Sequence, residues 1–290
     1  MKVNALLARG RPVVSFEFFP PKTPEGEAAL VRTIDTLRAL GPAFVSVTRT
    51  GGKPREATIE LVARIQALGI PGAAHITAIE ASRADIARAL ELAARHGIEN
   101  LVTLRGDVPK DPGFQRPQDG FRYAQDLVRF VRERAPGLCL AGACHPEGHP
   151  ETRDIPREIE YLKQKVDEGI DLLITNMFYD NARYFTFVEQ ARNAGVRVPI
   201  VPGHMPITNL QQIGRIAELS GCSIPQNLRA ALEHVGDDEK AALQVGIDWA
   251  TRQCAELLRG GAPGIHFYTL NKSPATRAIF ANLRAEHLVG

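Results

Sequence analysis

The fold class this sequence predicts is an eight-stranded β/α barrel, and three observations predict it. Short runs rich in β-branched and aromatic residues recur along the 290 residues, each followed by a longer stretch with helical periodicity. These units number about eight, at roughly 25 to 40 residues each, as an alternating parallel barrel requires. No composition shift or linker divides the chain, so residues 1–290 read as one barrel domain with 44% hydrophobic content to fill its core. A doubly wound open sheet is the competing arrangement, but no G-x-G-x-x-G follows the first strand.

The first strand is Val13-Val-Ser-Phe-Glu-Phe, ended by Pro20 and Pro21, which lack backbone donors. The segment Glu25 to Leu40 places Ala29, Leu30, Ile34, Leu37 and Leu40 on one helical face, and Gly41-Pro42 stops it. Ala43 to Thr48 reads as a strand and Thr50 to Pro54 as a loop. A helix through Ile59, Leu61, Val62 and Ile65 then leads to the strand Ala73 to Thr77. A helix over Arg83 to His96, ended by Gly97, precedes the strand Asn100-Leu-Val-Thr-Leu104. Past a Gly/Pro/Asp-rich loop, amphipathic Tyr123 to Arg134 precedes Leu138 to His145. Ile155 to Glu168 precedes Leu172 to Asn176, and Arg183 to Ala194 precedes Val198 to Gly203. The last strand is Gly264 to Leu270, followed by a helix through Ile279. The long interval before it holds helical patterns at Leu210 to Leu219, Asn227 to His234 and Lys240 to Arg259, so the last crossover carries extra helices.

A net charge of +2 with no run of Lys or Arg does not point to nucleic acid as a partner. The four cysteines, Cys139, Cys144, Cys222 and Cys254, form no C-x-x-C pair, which fits a reducing, cytoplasmic setting. No window is long and apolar enough for a membrane span, and residues Met1 to Gly10 lack a signal-peptide core.

In a barrel, side chains at the carboxyl ends of the strands gather on one face. Here they are Glu17, Thr48, His75 with Thr77, Arg105-Gly-Asp107, His145, Asn176, His204 and Asn271-Lys272. Glu17 stands inside an aromatic run, and burial there predicts a raised pKa suited to holding a proton near neutrality. The alternative is a core glutamate tied to an Arg or Lys elsewhere. Gly106 lets backbone approach a ligand, Arg105 offers a donor fork to an anion, and Asp107 accepts hydrogen bonds; an ordinary turn with an internal ion pair explains the tripeptide equally well. His75 also reads as a satisfied core histidine, Thr48 as a turn cap, and Lys165 as a solvated cation or one aimed at phosphate. Cys144, His145 and His149 are metal-ligand types, but no further Cys/His cluster has zinc spacing, so no metal is expected.

Taken together, Ser15-Phe-Glu-Phe-Phe-Pro-Pro-Lys22, Phe44-Val-Ser-Val-Thr48, Leu104-Arg-Gly-Asp107, His149-Pro150, Leu162-Lys-Gln-Lys-Val-Asp167, Ile174 to Asp180, Pro202-Gly203 and His266-Phe-Tyr-Thr-Leu-Asn271 resemble the methylenetetrahydrofolate reductase family. The resemblance runs from near the N-terminus to about Phe280. It implies a barrel carrying tightly but non-covalently bound FAD, which reduces 5,10-methylenetetrahydrofolate to 5-methyltetrahydrofolate with NADH or NADPH in ping-pong fashion, and a homo-oligomer. It matches Glu17 to the catalytic acid and Asp107 to a second catalytic residue near flavin and folate. Thr48, His75, Leu104, Arg105, Gly106, Asp107 and Tyr123 fall at flavin-contacting positions. So do Ala124, Ala143, His145, His149, Glu158, Tyr161 and Lys165. Asn176, Phe178, Gln212 and Lys272 join Glu17 and Asp107 at substrate positions. The sequence departs from the expected pattern at Asn176 (for Gln), Lys272 (for Arg), Arg49 (for an aromatic), Gln164 (for Arg) and Glu158 (for Asp). Other readings of such a barrel are a folate- or metal-dependent methyltransferase and a non-catalytic folate- or flavin-binding protein.

Overall fold

Side chains of successive strand residues point to opposite faces, so each strand of a closed parallel sheet feeds two layers, one inside the barrel and one beneath the helices. The computed structural model describes residues 1–21, 23–49, 54–109 and 111–290. Lys22, the 50–53 part of the predicted loop, and Lys110 lie outside the described residues. The first half of the chain runs α1 (Val3–Leu7), β1 (Val13–Phe18), α2 (Pro24–Arg38), β2 (Phe44–Val47), α3 (Arg55–Ala67), β3 (Gly72–Thr77), α4 (Arg83–Arg95), β4 (Asn100–Leu104), α5 (Ala124–Arg134) and β5 (Cys139–Cys144). The second half runs α6 (Ile155–Asp167), β6 (Leu172–Thr175), α7 (Asn181–Asn193), β7 (Ile200–Val201), β8 (Gly203–His204), α8 (Leu210–Ser220), α9 (Gln226–Val235), α10 (Glu239–Arg259), β9 (Gly264–Tyr268) and α11 (Pro274–Ala285).

The strand order is β7-β6-β5-β4-β3-β2-β1-β9-β8, with parallel pairing throughout. β7 and β8 are two pieces of the seventh strand position, separated at Pro202, which has no N–H for the ladder. One piece pairs with β6 and the other with β9, so the barrel closes across the proline. The Pro202 carbonyl still accepts the His266 N–H at 2.9 Å, and the Gly203 N–H donates to Thr175 Oγ1 at 2.9 Å. The three extra helices α8 to α10 fall in the last crossover, as their periodicity predicts.

One element was not legible beforehand. Helix α1 is five residues long, too short to be stable alone. It forms because Val3 and Leu7 pack under the barrel against Val13, Phe44, Val102 and Leu172, while the Val3 N–H donates to Asn100 Oδ1 at 2.8 Å. Burying such side chains contributes about 1.5–3 kcal/mol each, enough to offset the ordering of one turn.

Alternation also corrects the expected surroundings of Glu17. Val14, Phe16 and Phe18 belong to the helix-facing core, whereas Val13 faces the barrel interior. Ser15 and Glu17 share the Val13 face. The carboxylate therefore stands not among the aromatics adjacent in sequence but among polar side chains of neighbouring strands, with Ser46 and Tyr268 beside it in register.

Candidate active site

Two groups of side chains lie at the carboxyl end of the barrel. The first is in the lumen. Strands β1, β2, β3 and β9 bring Glu17, Ser46, His75 and His266 together. Ser46 Oγ donates to Glu17 Oε2 at 3.2 Å, His75 Nε2 lies 3.2 Å from the same oxygen, and His266 Nε2 lies 3.5 Å from it. The His75 contact is close but off-line for a hydrogen bond, leaving both its ring nitrogens without an aligned partner. His266 is fully buried; its Nδ1 is 2.8 Å from Ser15 Oγ, and its ring stacks on Phe44. Burial works to raise the Glu17 pKa, but the charge of His75 and the contacts with both imidazoles outweigh it. The carboxyl is held well below the ordinary carboxylate range. The expected raised pKa is thus overturned, because the lumen sets two imidazoles against the carboxylate where the linear sequence shows only aromatics. Tyr268 stays a neutral phenol, its pKa pushed up by burial and by the charge of Glu17.

The second group lines a cavity of about 1010 Å³ across the ends of β2 to β5 and the face of α6. On α6, capped by Asp154, the residues Glu158, Tyr161, Leu162 and Lys165 follow helical spacing and present one face to it. Every residue expected at a flavin position lines this cavity except His75: Thr48, Leu104, Arg105, Gly106, Asp107, Tyr123, Ala124, Ala143, His145, His149, Glu158, Tyr161 and Lys165. Gly106 has φ +80°, and a Cβ there would sit 3.0 Å from Ile79 Cγ2, so both backbone and space call for glycine. Arg105 does not pair with Asp107. Its guanidinium grips Glu151 at two points, 2.8 and 2.5 Å, and this hydrogen bonding raises the arginine pKa and lowers that of the acid.

Lys165 is half-buried, and its Nζ donates to the Ala143 carbonyl; desolvation lowers its pKa and nearby Glu158 opposes that shift. Glu158 accepts from His145 Nδ1 at 2.8 Å, which keeps the buried acid's pKa low against its desolvation. His149 packs edge-on against His145, and burial and the neighbouring cations lower its pKa. Cys144 points away from these histidines into the helix-facing core, where burial pushes its thiol up. The cysteine and two histidines do not converge.

The substrate-side expectations are less tightly assembled. Asn176 donates through Nδ2 to the Ser220 carbonyl at 3.3 Å, and Gln212 is engaged with Thr208 and Pro206. Lys272 is exposed. Phe178 is 1% exposed and stacked on Tyr184 in the helix-facing core. Sequence reasoning assigned no role to Ser15, Ser46, His266 or Tyr268. The period-two pattern of Gly264-Ile-His-Phe-Tyr268 was the signal for the last two, placing both on the face opposite Ile265 and Phe267. Arg49 was also unassigned; it reaches Thr77 Oγ1 at 3.1 Å and pairs with Glu80 in the cavity wall.

A closed parallel barrel with a ligand-sized cavity and charged residues at the carboxyl ends of its strands has the architecture of barrel enzymes. The family model for methylenetetrahydrofolate reductase matches residues 2–284. The chain is 36% identical over 297 residues to methylenetetrahydrofolate reductase (NADH) 1 of Arabidopsis thaliana, covering 97% of this chain and 50% of that one. It thus spans about half the length of the plant relative. It is also 36% identical to the 5,10-methylenetetrahydrofolate reductase of Salmonella typhimurium, over 93% of this chain and 90% of that one. This chain belongs to the methylenetetrahydrofolate reductase family. In fold it is similar to a Clostridium thermocellum protein that binds two copies of 5-methyl-5,6,7,8-tetrahydrofolic acid, with TM-score 0.67, 98% of each chain covered and 16% identity. Among the described residues, no helix is long and apolar enough to cross a membrane.

Proposed function

We propose that this barrel uses bound FAD to reduce 5,10-methylenetetrahydrofolate to 5-methyltetrahydrofolate, with NADH or NADPH as donor. The single observation that carries the reading is the cavity of about 1010 Å³, whose wall gathers the flavin-position residues of the family resemblance from four strand ends and one helix. The donor set fits such a group. Arg105 and Lys165 supply cations for a diphosphate, exposed Tyr123 and Tyr161 offer aromatic faces at the rim, and buried Arg49 Nε, in the cavity wall, is a donor without a partner among the described residues. When bound, FAD would supply two-electron chemistry, accepting a hydride equivalent from the nicotinamide and returning one to the folate.

The chain's own residues supply the rest. Glu17 delivers a proton to a folate ring nitrogen, opening the methylene bridge to a cationic, electrophilic carbon. Asp107, exposed at the cavity wall, places a negative charge near that cation. Asn176, Gln212 and Lys272 orient the folate, and the Lys272 ammonium meets a carboxylate as a single point charge.

The test is a visible absorption spectrum of purified protein under anaerobic conditions. A flavin band that bleaches with NADH or NADPH and returns on adding methylenetetrahydrofolate is the expected outcome. A colourless protein that neither takes up added FAD nor bleaches overturns the proposal.

A further inference from the structure

A guanidinium only donates hydrogen bonds, so the bonds of an arginine in the wall of the large cavity have one possible direction. Arg49 Nη1 donates to Thr77 Oγ1 at 3.1 Å and to Glu80. Among the described residues, Nη1 is the only nitrogen of Arg49 with a partner, and Nε is buried without one. The side chain is 10% exposed, so the Nε–Nη2 edge is a two-donor fork held in the cavity wall. Behind it, Arg55 Nη1 donates to the Thr77 carbonyl at 2.9 Å and to Thr77 Oγ1 at 3.4 Å. Thr77 Oγ1 accepts from both guanidiniums, which leaves its hydroxyl proton for a further acceptor. Burial and the charge of Arg49 pull the Arg55 pKa down to about 10, opposed by Asp85, Glu80 and Glu56, so Arg55 is charged at neutrality. Open donors beside two cations call for an acceptor oxygen that carries or gains negative charge.

The place of this fork decides which part of a ligand it meets. The Thr48 N–H donates to the Phe18 carbonyl at 2.8 Å, so Arg49 leaves β2 beside the end of the strand that carries Glu17. Thr77 follows His75 on the same face of β3, and His75 Nε2 lies 3.2 Å from Glu17 Oε2. Thr77 also abuts Gly106, where a Cβ would come 3.1 Å from Thr77 Cβ. In the reaction proposed above, the proton from Glu17 and the hydride reach neighbouring atoms of one folate. The redox ring of FAD then lies at this β1–β3 end of the cavity, and the diphosphate farther along, toward Lys165 on α6. We propose that the Nε–Nη2 edge of Arg49, with the Thr77 hydroxyl, binds a carbonyl oxygen of that ring and raises the reduction potential of bound FAD. The proposal rests on the reading of the cavity as the FAD site. A hydride passed from the nicotinamide carries two electrons and one proton, so the ring gains one negative charge and the donor leaves as its oxidised cation. Arg49 sets a positive charge beside that gain and favours the reduced cofactor over the oxidised one. Position 49 departs from the aromatic of the family resemblance, so the charge is one this chain adds.

The experiment measures the midpoint potential of FAD bound to the protein, by anaerobic titration against a reference dye. Arg49→Gln is expected to lower it by about 30 mV or more, the shift that a tenfold loss of preference for reduced over oxidised cofactor gives in a two-electron couple. Arg49→Lys keeps the charge without the fork and should fall between Arg49→Gln and the parent. An unchanged or raised potential in Arg49→Gln overturns the proposal. If Arg49→Gln does not retain FAD, Thr77→Val carries the test. It removes one neutral donor at constant shape and should lower the potential by less, and an unmoved potential there overturns the proposal. Binding of oxidised and reduced FAD weakened by one common factor would put Arg49 on the diphosphate, and this too overturns it. A parent protein that takes up no FAD removes the reading beneath the proposal and the proposal with it. A parent that binds FAD, with variants of unmoved potential, removes the proposal alone.

Discussion

The Arg105 guanidinium holds the Glu151 carboxylate in a two-point pair, at 2.8 and 2.5 Å, on the wall of the large cavity. A carboxylate and a phosphate make the same demand on an arginine fork, so Glu151 occupies the seat that an anionic cofactor would take. Glu151 is more than half exposed, and screening keeps the pair weak enough to exchange. Arg105→Ala is therefore expected to weaken FAD binding by roughly 10- to 100-fold, with Arg105→Lys recovering only part of it. Glu151→Gln removes the competitor and should tighten binding a few-fold. Fluorescence titration of apoprotein with FAD measures all three. Equal affinities across the set would show that Arg105 does not meet the cofactor.

The carboxyl of Glu17 titrates below its ordinary value of 4.5 in the fold. Its contacts with His75, His266 and Ser46 therefore stabilise the protein fully above that value, and the contribution is lost as pH falls below it. Urea unfolding at a series of pH values should show a shallower acid limb in Glu17→Gln than in the parent. Parallel curves through that range would mean that the carboxylate gains nothing from its neighbours on folding.

Gly203 sits where the barrel closes, and a Cβ there would lie 2.3 Å from the Thr175 carbonyl oxygen and 2.6 Å from Tyr268 Oη. One of the three close atoms is barrel backbone, and the other two belong to the Tyr268 phenol, whose hydroxyl is held on that same Thr175 carbonyl. Gly203→Ala should cost about 3 kcal/mol or more, the range of severe overpacking. Thermal unfolding by calorimetry gives the value, and a loss under about 0.5 kcal/mol would mean the closure is loose.

Asn271 substitutes for a strand. Its Oδ1 accepts the Phe19 N–H at 3.0 Å and its Nδ2 donates to the Phe19 carbonyl at 2.9 Å, from a turn in which Leu270 and Asn271 both have positive φ. Thr269 Oγ1 adds a bond to the Glu17 carbonyl at 2.7 Å. Asn271→Ala leaves both Phe19 groups without these partners and should cost about 1–3 kcal/mol. It should also slow the folate half-reaction more than the flavin half-reaction, since the end of β1 carries Glu17. A variant as stable as the parent, with both half-reactions intact, would show the clamp to be dispensable.

The barrel was legible because its signals are local. Period-two strands, 3.6-residue helices and stops such as Gly41-Pro42 lie within short windows of sequence. Part of the cavity wall, Thr48, Thr77, Arg105-Gly-Asp107 and His145, was legible for a related reason: polar residues just past each strand reach the same barrel end whatever the details of packing. Tyr123, Ala124, Ala143, His149, Glu158, Tyr161 and Lys165 came instead from the family resemblance. The orientation of Phe178 was not legible, because its position past β6 does not reveal which way its ring turns, and only packing against Tyr184 shows it.

By itself, then, the amino-acid sequence determined the alternating architecture, the extra helices of the last crossover and the strand-end polar residues of the large cavity, with the family resemblance adding the rest of its lining. The tertiary structure alone decided the charge of Glu17. Its aromatic neighbours in sequence point the other way, and the imidazole that binds it through β9 lies 249 residues downstream. A pKa depends on what stands within a few ångströms, and only closure of the barrel brings β1, β3 and β9 that near.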